Sequence, residues 1–243
     1  MSNAVHVLAA GSLRHAFPAI IDAFGREFGI GISLTLGPAG LLRQTIEAGT
    51  RFDLFASANM AHPLRLALIG FVEGAICFAR NRLCVLARAD LGLTTQNFLT
   101  VLADPAVRIG TSTPGDDPGG DYAFEVFDKI EARYPGKGAA IRSRSRQLVG
   151  GRHSLPTPAG KRGGYLITDG VVDLMMSYSS NARLLAGDPA FSVIDIPDEF
   201  QPLIEYGMAI RKGADDETRS LQDFLLSETG QEILNKAGFS PVD

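Results

Sequence analysis

The sequence predicts an α/β protein of two lobes, each a mixed sheet flanked by helices, and three observations carry that prediction. Short apolar runs alternate with segments of helical periodicity along most of the chain, the pattern of a sheet covered on its faces. The first three of those runs each leave through small residues, at Ala10-Gly11-Ser12, Pro38-Ala39-Gly40 and Ser57-Ala58. A length of 243 residues suffices for two domains of ordinary size. The lobes are expected at residues 1–83 plus 205–243 and at 84–204, with a two-strand hinge near 84–88 and 203–207.

Val5 to Ala9 reads as the first strand. Phe17, Ile20, Ile21, Phe24 and Phe28 then fall on one helical face, with Pro18 tolerable near the start and Gly29 as the stop. Ile30 to Leu36 is a second strand, and Leu41, Leu42, Thr45 and Ile46 mark the helix after it. Asp53 to Ala58 gives a third strand and Pro63 to Ile69 a third helix. Ile76 to Ala87, interrupted by Arg80-Asn81-Arg82, reads as one strand that leaves the first lobe for the second. A new series follows: a helix at Thr95 to Leu102, a strand at Val107 to Thr111, a Gly/Pro/Asp loop and a helix from Tyr122 to Arg133. Another helix is expected to open near Pro158 to Lys161, and Val172 to Ser177 is a strand ending at Tyr178. Tyr206 to Ile210 is strand-like, with helices at Asp215 to Leu226 and Thr229 to Ala237.

Composition narrows the function. Hydrophobic content of 45% and charged content of 21% suit a soluble globular protein, and no stretch approaches the roughly 20 apolar residues a membrane span needs. A net charge of −4 argues against nucleic acid as a partner. Arg142, Arg144, Arg146, Arg152, Lys161 and Arg162 form a local exception, read either as solvated surface or as a positive field for anions. Cys77 and Cys84 sit in apolar sequence and are expected to be free thiols. His6, His15, His62 and His153 are scattered without metal-ligand spacing, so neither metal nor cofactor is expected. Phosphate-loop and dinucleotide fingerprints are missing. Met1-Ser-Asn-Ala4 reads as a vector remnant, so a cleaved signal peptide is expected to have been left out.

Several groups able to bind an anion lie at strand exits or helix starts: Ser12, Ala39 and Gly40, Ser57, the Pro118-Gly119-Gly120-Asp121 loop, Gly160 with Lys161, and Tyr178. The crevice beyond the carboxyl ends of strands is the usual ligand site in open α/β sheets. Helix starts and hydroxyls there hold an oxyanion without a full counter-charge. Ser12 suits either that role or an ordinary helix cap. Tyr178 suits either ligand contact or capping of backbone. Two other readings stand beside anion binding: a serine hydrolase using Ser12 and His15, which lacks a Gly-x-Ser-x-Gly elbow, and the ligand-sensing domain of a regulator, for which the chain offers no helix-turn-helix before the first strand.

The order and spacing of these segments resemble the molybdate-binding periplasmic protein family. The similarity runs through Ala9-Ala-Gly-Ser12, Gly37 to Gly49, Asp53 to Ala58, Asp117 to Ala123 and Ser177 to Ala182. The resemblance implies a type II periplasmic-binding-protein fold with the ligand cleft between lobes. It implies capture of molybdate or tungstate, and delivery to the membrane permease and ATPase of an ABC importer. It further implies a periplasmic, non-enzymatic protein without cofactor, expected to be a monomer. Carried across, the family's first serine matches Ser12 and its tyrosine Tyr178, while two backbone contacts fall on Gly119 and Gly160. The second serine falls on Ala39 or Gly40, so a hydroxyl is lost; Ser57, Lys161 or Arg162 is expected to compensate. Asp117 or Asp121 is a candidate for direct coordination of the oxyanion's central atom, as in some archaeal relatives.

Overall fold

The computed structural model describes residues 4–161 and 163–242; residues 1–3, Arg162 and Asp243 lie outside the described residues. The chain begins with β1 (Val5–Ala10) and a single 3-10 turn, Gly11–His15, before α1 (Phe17–Phe28). α1 buries Phe17, Ile20 and Phe24 and ends on Gly29 in the left-handed region at φ 68°, where glycine carries no steric penalty. β2 (Ile32–Gly37), α2 (Ala39–Glu47), β3 (Leu54–Ser57), α3 (Ala61–Leu68) and β4 (Ile76–Asn81) follow. The apolar run expected as one strand breaks at Arg82, and β5 (Leu83–Arg88) joins a different sheet.

After β5 come α4 (Phe98–Ala103), β6 (Ile109–Ser112), α5 (Pro118–Arg133), α6 (Lys137–Arg144), β7 (Arg146–Val149), α7 (Tyr165–Thr168), β8 (Leu174–Tyr178), α8 (Ser179–Ala182) and β9 (Phe191–Asp195). The chain then returns as β10 (Ile204–Ile210), α9 (Asp216–Leu226) and α10 (Glu228–Lys236). Among the described residues the strands make two five-stranded mixed sheets, ordered β2-β1-β3-β10-β4 and β7-β6-β8-β5-β9.

The chain divides into two compact units, Met1–Asn81 with Ile204–Asp243, and Arg82–Leu203. The crossings fall at 81/82 and 203/204 rather than at 83/84 and 204/205. Local bonding explains the shift. Asn81 is buried and donates to the Tyr206 hydroxyl at 3.4 Å within unit 1. The Arg82 carbonyl accepts from Ser179 N–H at 2.9 Å, and its side chain pairs with Asp198, both in unit 2. Of the residues expected as a hinge, 84–88 and 203–207, all but Leu203 are strand residues inside β5 and β10.

In unit 1, β10 runs antiparallel between β3 and β4 and carries Tyr206, Met208, Ala209 and Ile210 into the core. Phe78 and Phe239 meet the Tyr206 ring edge-on. Phe24, Phe28 and Phe224 cluster where α1 meets α9. Unit 2 is centred on Leu83, Cys84, Val85 and Leu86 of β5 with Ile109, Val126, Phe127 and Leu174. Three ion pairs tie strand ends: Asp53 with Arg211 at 2.8 Å, and Asp173 with Arg108 at 2.7 Å and with Arg88 at 3.0 Å. Cys77 and Cys84 are free thiols, and burial pushes that of Cys84 up to about 12.

The helix expected to open at Pro158 to Lys161 does not form. Residues 158–161 make a turn closed by Lys161 N–H to the Pro158 carbonyl, and Gly160 stands at φ 77°. Pro156, Pro158, Gly160, Gly163 and Gly164 crowd this stretch, and each raises the cost of helix. No helix among the described residues is long and apolar enough to cross a membrane.

Candidate functional site

In unit 1 the parallel strands β1, β2 and β3 end at one edge of the sheet, and β10 starts there. The registers Ala10 to Gly37, Ala9 to Ala56, Gly207 to Ser57 and Ile204 to Asn81 place Ser12, Ala39, Gly40, Ser57, Asn81 and Tyr206 at that edge. The 3-10 turn after β1 buries Ser12 and sets its hydroxyl 2.8 Å from the Tyr206 hydroxyl. His15 is exposed, and partial burial followed by the Arg14 charge lowers its imidazole. The fold therefore directs Ser12 to a phenol and not to the base that a hydrolase would require.

α2 opens behind Pro38, whose side chain has no acceptor to cap it. The first intrahelical bond runs from Leu42 N–H to the Pro38 carbonyl at 2.9 Å. The amides of residues 39–41 therefore precede the ladder, at the positive end of the helix. Ala39 and Gly40 are both buried and supply only backbone. Ser57 is fully buried, but its hydroxyl is turned onto Asn59, donating to Oδ1 at 3.1 Å and accepting from the amide at 3.2 Å.

In unit 2 the parallel strands β6, β7 and β8 bring Ser112, Val149 and Tyr178 to a common edge. α5 begins at Pro118, four residues earlier than expected, so Gly119 lies in its first turn rather than in a loop. Asp117 caps this helix, its carboxylate accepting Gly119 N–H at 3.1 Å and the Ser112 hydroxyl at 2.5 Å. Gly120 passes so close to the β6 exit that a Cβ would fall 2.5 Å from the Pro114 nitrogen, which only glycine allows. Tyr178 is buried, lies over Gly119, and meets Tyr122 edge-on at 6.5 Å. Asp121 accepts from the Gly115 amide at 2.8 Å; burial raises its carboxyl while that bond pulls it down.

Gly119 and Tyr178 are thus brought together. Gly160 and Lys161 stand elsewhere: both are exposed and line a depression of about 260 Å³ with Tyr165, Leu185 and Phe191. Lys161 pairs with Asp169 at 2.7 Å. The remaining described members of the basic cluster also have local partners. Arg142 pairs with Asp128 and Arg152 with Asp116, while Arg144 and Arg146 donate to backbone carbonyls. Sequence reading passed over Tyr206, Asn81 and Ser112. Ser112 carried a usable signal, a hydroxyl at a strand exit like Ser12; Tyr206 reads simply as a core aromatic.

Both edges gather hydroxyls and amides, and each receives the start of a helix. Among the described residues no group of three or more His, Cys, Asp or Glu side chains is placed to hold a metal ion. What these groups offer is hydrogen-bond donation to an acceptor.

Two mixed sheets flanked by helices, with donors at their carboxyl edges, are the fold of the type II periplasmic binding proteins. The chain belongs to the family of bacterial extracellular solute-binding proteins, whose model matches residues 5–240. It is 37% identical over 243 residues to the uncharacterized protein PM1146 of Pasteurella multocida (strain Pm70), covering 98% of this chain and 99% of that one. It is 24% identical over 247 residues to the molybdate-binding protein ModA of Escherichia coli (strain K12), covering 97% and 88% respectively. Among solved structures, the periplasmic molybdate-binding protein of Azotobacter vinelandii matches with a TM-score of 0.78 at 19% identity, over 98% of this chain and 100% of that one. Family and fold are those of solute-binding transport proteins.

Proposed function

We propose that this protein captures a tetrahedral oxyanion through backbone amides and hydroxyls and delivers it to the permease and ATPase of an ABC importer. The observation that carries the reading is the uncapped start of α2 at Ala39 and Gly40, at the same sheet edge as the buried Ser12 hydroxyl. A helix start of this kind is a ready anion site, because its leading amides lack partners within the helix. Gly119 and Tyr178 form the corresponding set of groups in unit 2. Molybdate and tungstate are the proposed ligands, on the similarity to molybdate-binding relatives; the protein acts as a periplasmic monomer.

A second reading, a different small oxyanion on the same fold, draws support from two features. The position of the expected second serine offers backbone alone, and a carboxylate caps α5. Thermal shift with molybdate, tungstate, sulfate, phosphate and nitrate separates the readings, since a true ligand raises Tm by binding the native state. A rise with molybdate and tungstate supports the first reading, and a rise confined to another anion the second. No rise with any of them would remove the oxyanion function.

A further inference from the structure

Ser12 is buried in a 3-10 turn that has no side-chain cap, and among the described residues its hydroxyl makes one side-chain bond, the 2.8 Å contact with the Tyr206 phenol. It does not serve as an ordinary helix cap. The phenol is itself placed by the sheet. Tyr206 stands opposite Ala79, but its neighbour Gly207 stands opposite Cys77, so the β10–β4 ladder carries a bulge that skips Phe78. Such irregularities re-aim a side chain. Gly207 lets the strand run close to the start of α3, where a Cβ would fall 2.8 Å from Pro63 Cγ and 3.1 Å from the Asn59 carbonyl oxygen. Asn81, buried at the end of β4, then donates from Nδ2 to the fully buried phenol at 3.4 Å. Three buried polar side chains from separate segments thus form one hydrogen-bonded chain at the carboxyl edge of the unit 1 sheet.

We propose that Tyr206 and Asn81 are positioning residues for anion capture: they set the direction of this chain so that Ser12 presents its hydrogen to the bound oxyanion. This rests on the oxyanion reading above and adds how the serine is oriented for it. An amide nitrogen donates and does not accept. The phenol oxygen is therefore filled from the Asn81 side, and the phenol hydrogen goes to the Ser12 oxygen. The serine keeps its own hydrogen, which no acceptor among the described residues takes. A serine hydroxyl left to itself turns a lone pair towards an anion as readily as a hydrogen. Held from behind by a donor, it has only the hydrogen to offer, and each bond in such a chain strengthens the next. Tyr206 acts through Ser12 and does not itself touch the ligand.

Calorimetric titration of the full chain with molybdate, tungstate, sulfate and phosphate in turn tests the proposal at mildly alkaline pH, read on each anion that binds wild type. Thermal melts verify that each variant folds. Tyr206→Phe is expected to weaken binding about 3- to 10-fold in the wild-type background, and by less than about twofold beside Ser12→Ala, because its effect passes through that hydroxyl. A substitution that merely loosened the core would weaken binding by the same factor in both. That result, or no change in the wild-type background, overturns the proposal. Asn81→Asp turns the chain round. The ionised carboxylate accepts the phenol hydrogen, the phenol accepts from Ser12, and binding falls by about tenfold or more. Adding Tyr206→Phe to Asn81→Asp should then tighten binding, a change of sign that charge repulsion alone does not produce; further weakening would also overturn the proposal. If Asn81→Asp does not fold, the cycle of Tyr206→Phe with Ser12→Ala decides. If folded wild type binds none of the four anions, the oxyanion reading itself falls and the positioning role with it.

Discussion

Ser12 and Tyr206, 194 positions apart, share a 2.8 Å hydrogen bond between their hydroxyls at the carboxyl edge of the unit 1 sheet. The phenol is anchored in turn by Asn81 Nδ2 at 3.4 Å and by edge-on packing against Phe78 and Phe239. When the phenol donates to Ser12, the serine hydrogen is left for a further acceptor, which suits an anion.

Ser12→Ala and Tyr206→Phe are each expected to lower stability by about 0.5–1.5 kcal/mol in urea unfolding. Because the two hydroxyls are partners, the double variant should lose less than the sum of the two. Strict additivity would show that the pair does not interact. Calorimetry of Ser12→Ala should also reveal oxyanion binding weaker by roughly 1–3 kcal/mol.

Ala39→Ser restores a hydroxyl at the start of α2, where the proposed site has only amides. Binding of the preferred oxyanion should tighten by about 2- to 10-fold in calorimetric titration. Unchanged or weaker binding would place the ligand away from this helix.

Asp173 gives an acid-dependent prediction. Hydrogen bonds from Arg108 hold its carboxyl well below the usual range, with burial opposing and Arg88 assisting. Its folded pKa lies below the unfolded value of about 3.9, so its contribution is whole above that value and is lost as pH falls beneath it. Asp173→Asn should lower stability at neutral pH by about 1–2 kcal/mol, the half-exposed arginines losing charge-assisted bonds that solvent already weakens. The gap to wild type should narrow below about pH 4 in acid titrations of stability. A gap of constant size would separate Asp173 from acid unfolding.

His62 works in a higher window. Burial, then the Arg43 charge, lowers its imidazole from 6.5 to about 4, with Glu47 opposing. The unfolded chain takes up this proton first, so stability is whole above pH 6.5 and declines towards pH 4. The slope reaches at most about 1.4 kcal/mol per pH unit. His62→Gln should flatten the urea midpoint across that window, and an unchanged slope would exclude the histidine as its source.

The alternation of apolar runs and helical faces made most of unit 1 legible, because its strands and helices are regular and its core aromatics recur at helical spacing. Phe17 to Phe28 is the plainest case, a helix whose bounds the pattern marks to the residue. Unit 2 was less legible. α6 carries Gly138, Arg142, Ser143 and Arg144 and has little apolar face, so its helicity rests on packing against α5. β7 is a half-exposed edge strand of mixed polarity, and β9 follows a turn-rich stretch. Of the candidate site, Ser12, Gly119 and Tyr178 were readable as hydroxyls and amides at strand exits or helix starts. Tyr206 and Asn81 were not, since their role depends on a strand that returns from far along the chain.

That return dictates an order of assembly. β10 lies between β3 and β4, so β4 has no neighbour in its own sheet until the last sixth of the polypeptide has been made. Unit 2 is one uninterrupted segment and can complete its hydrogen-bonded ladders while the ribosome is still at work. The earlier half must wait, with Phe78 and Ala79 unshielded, for a partner that closes a very long loop. Truncation from the carboxyl end should therefore unmake the first-synthesised portion of the molecule while sparing the middle.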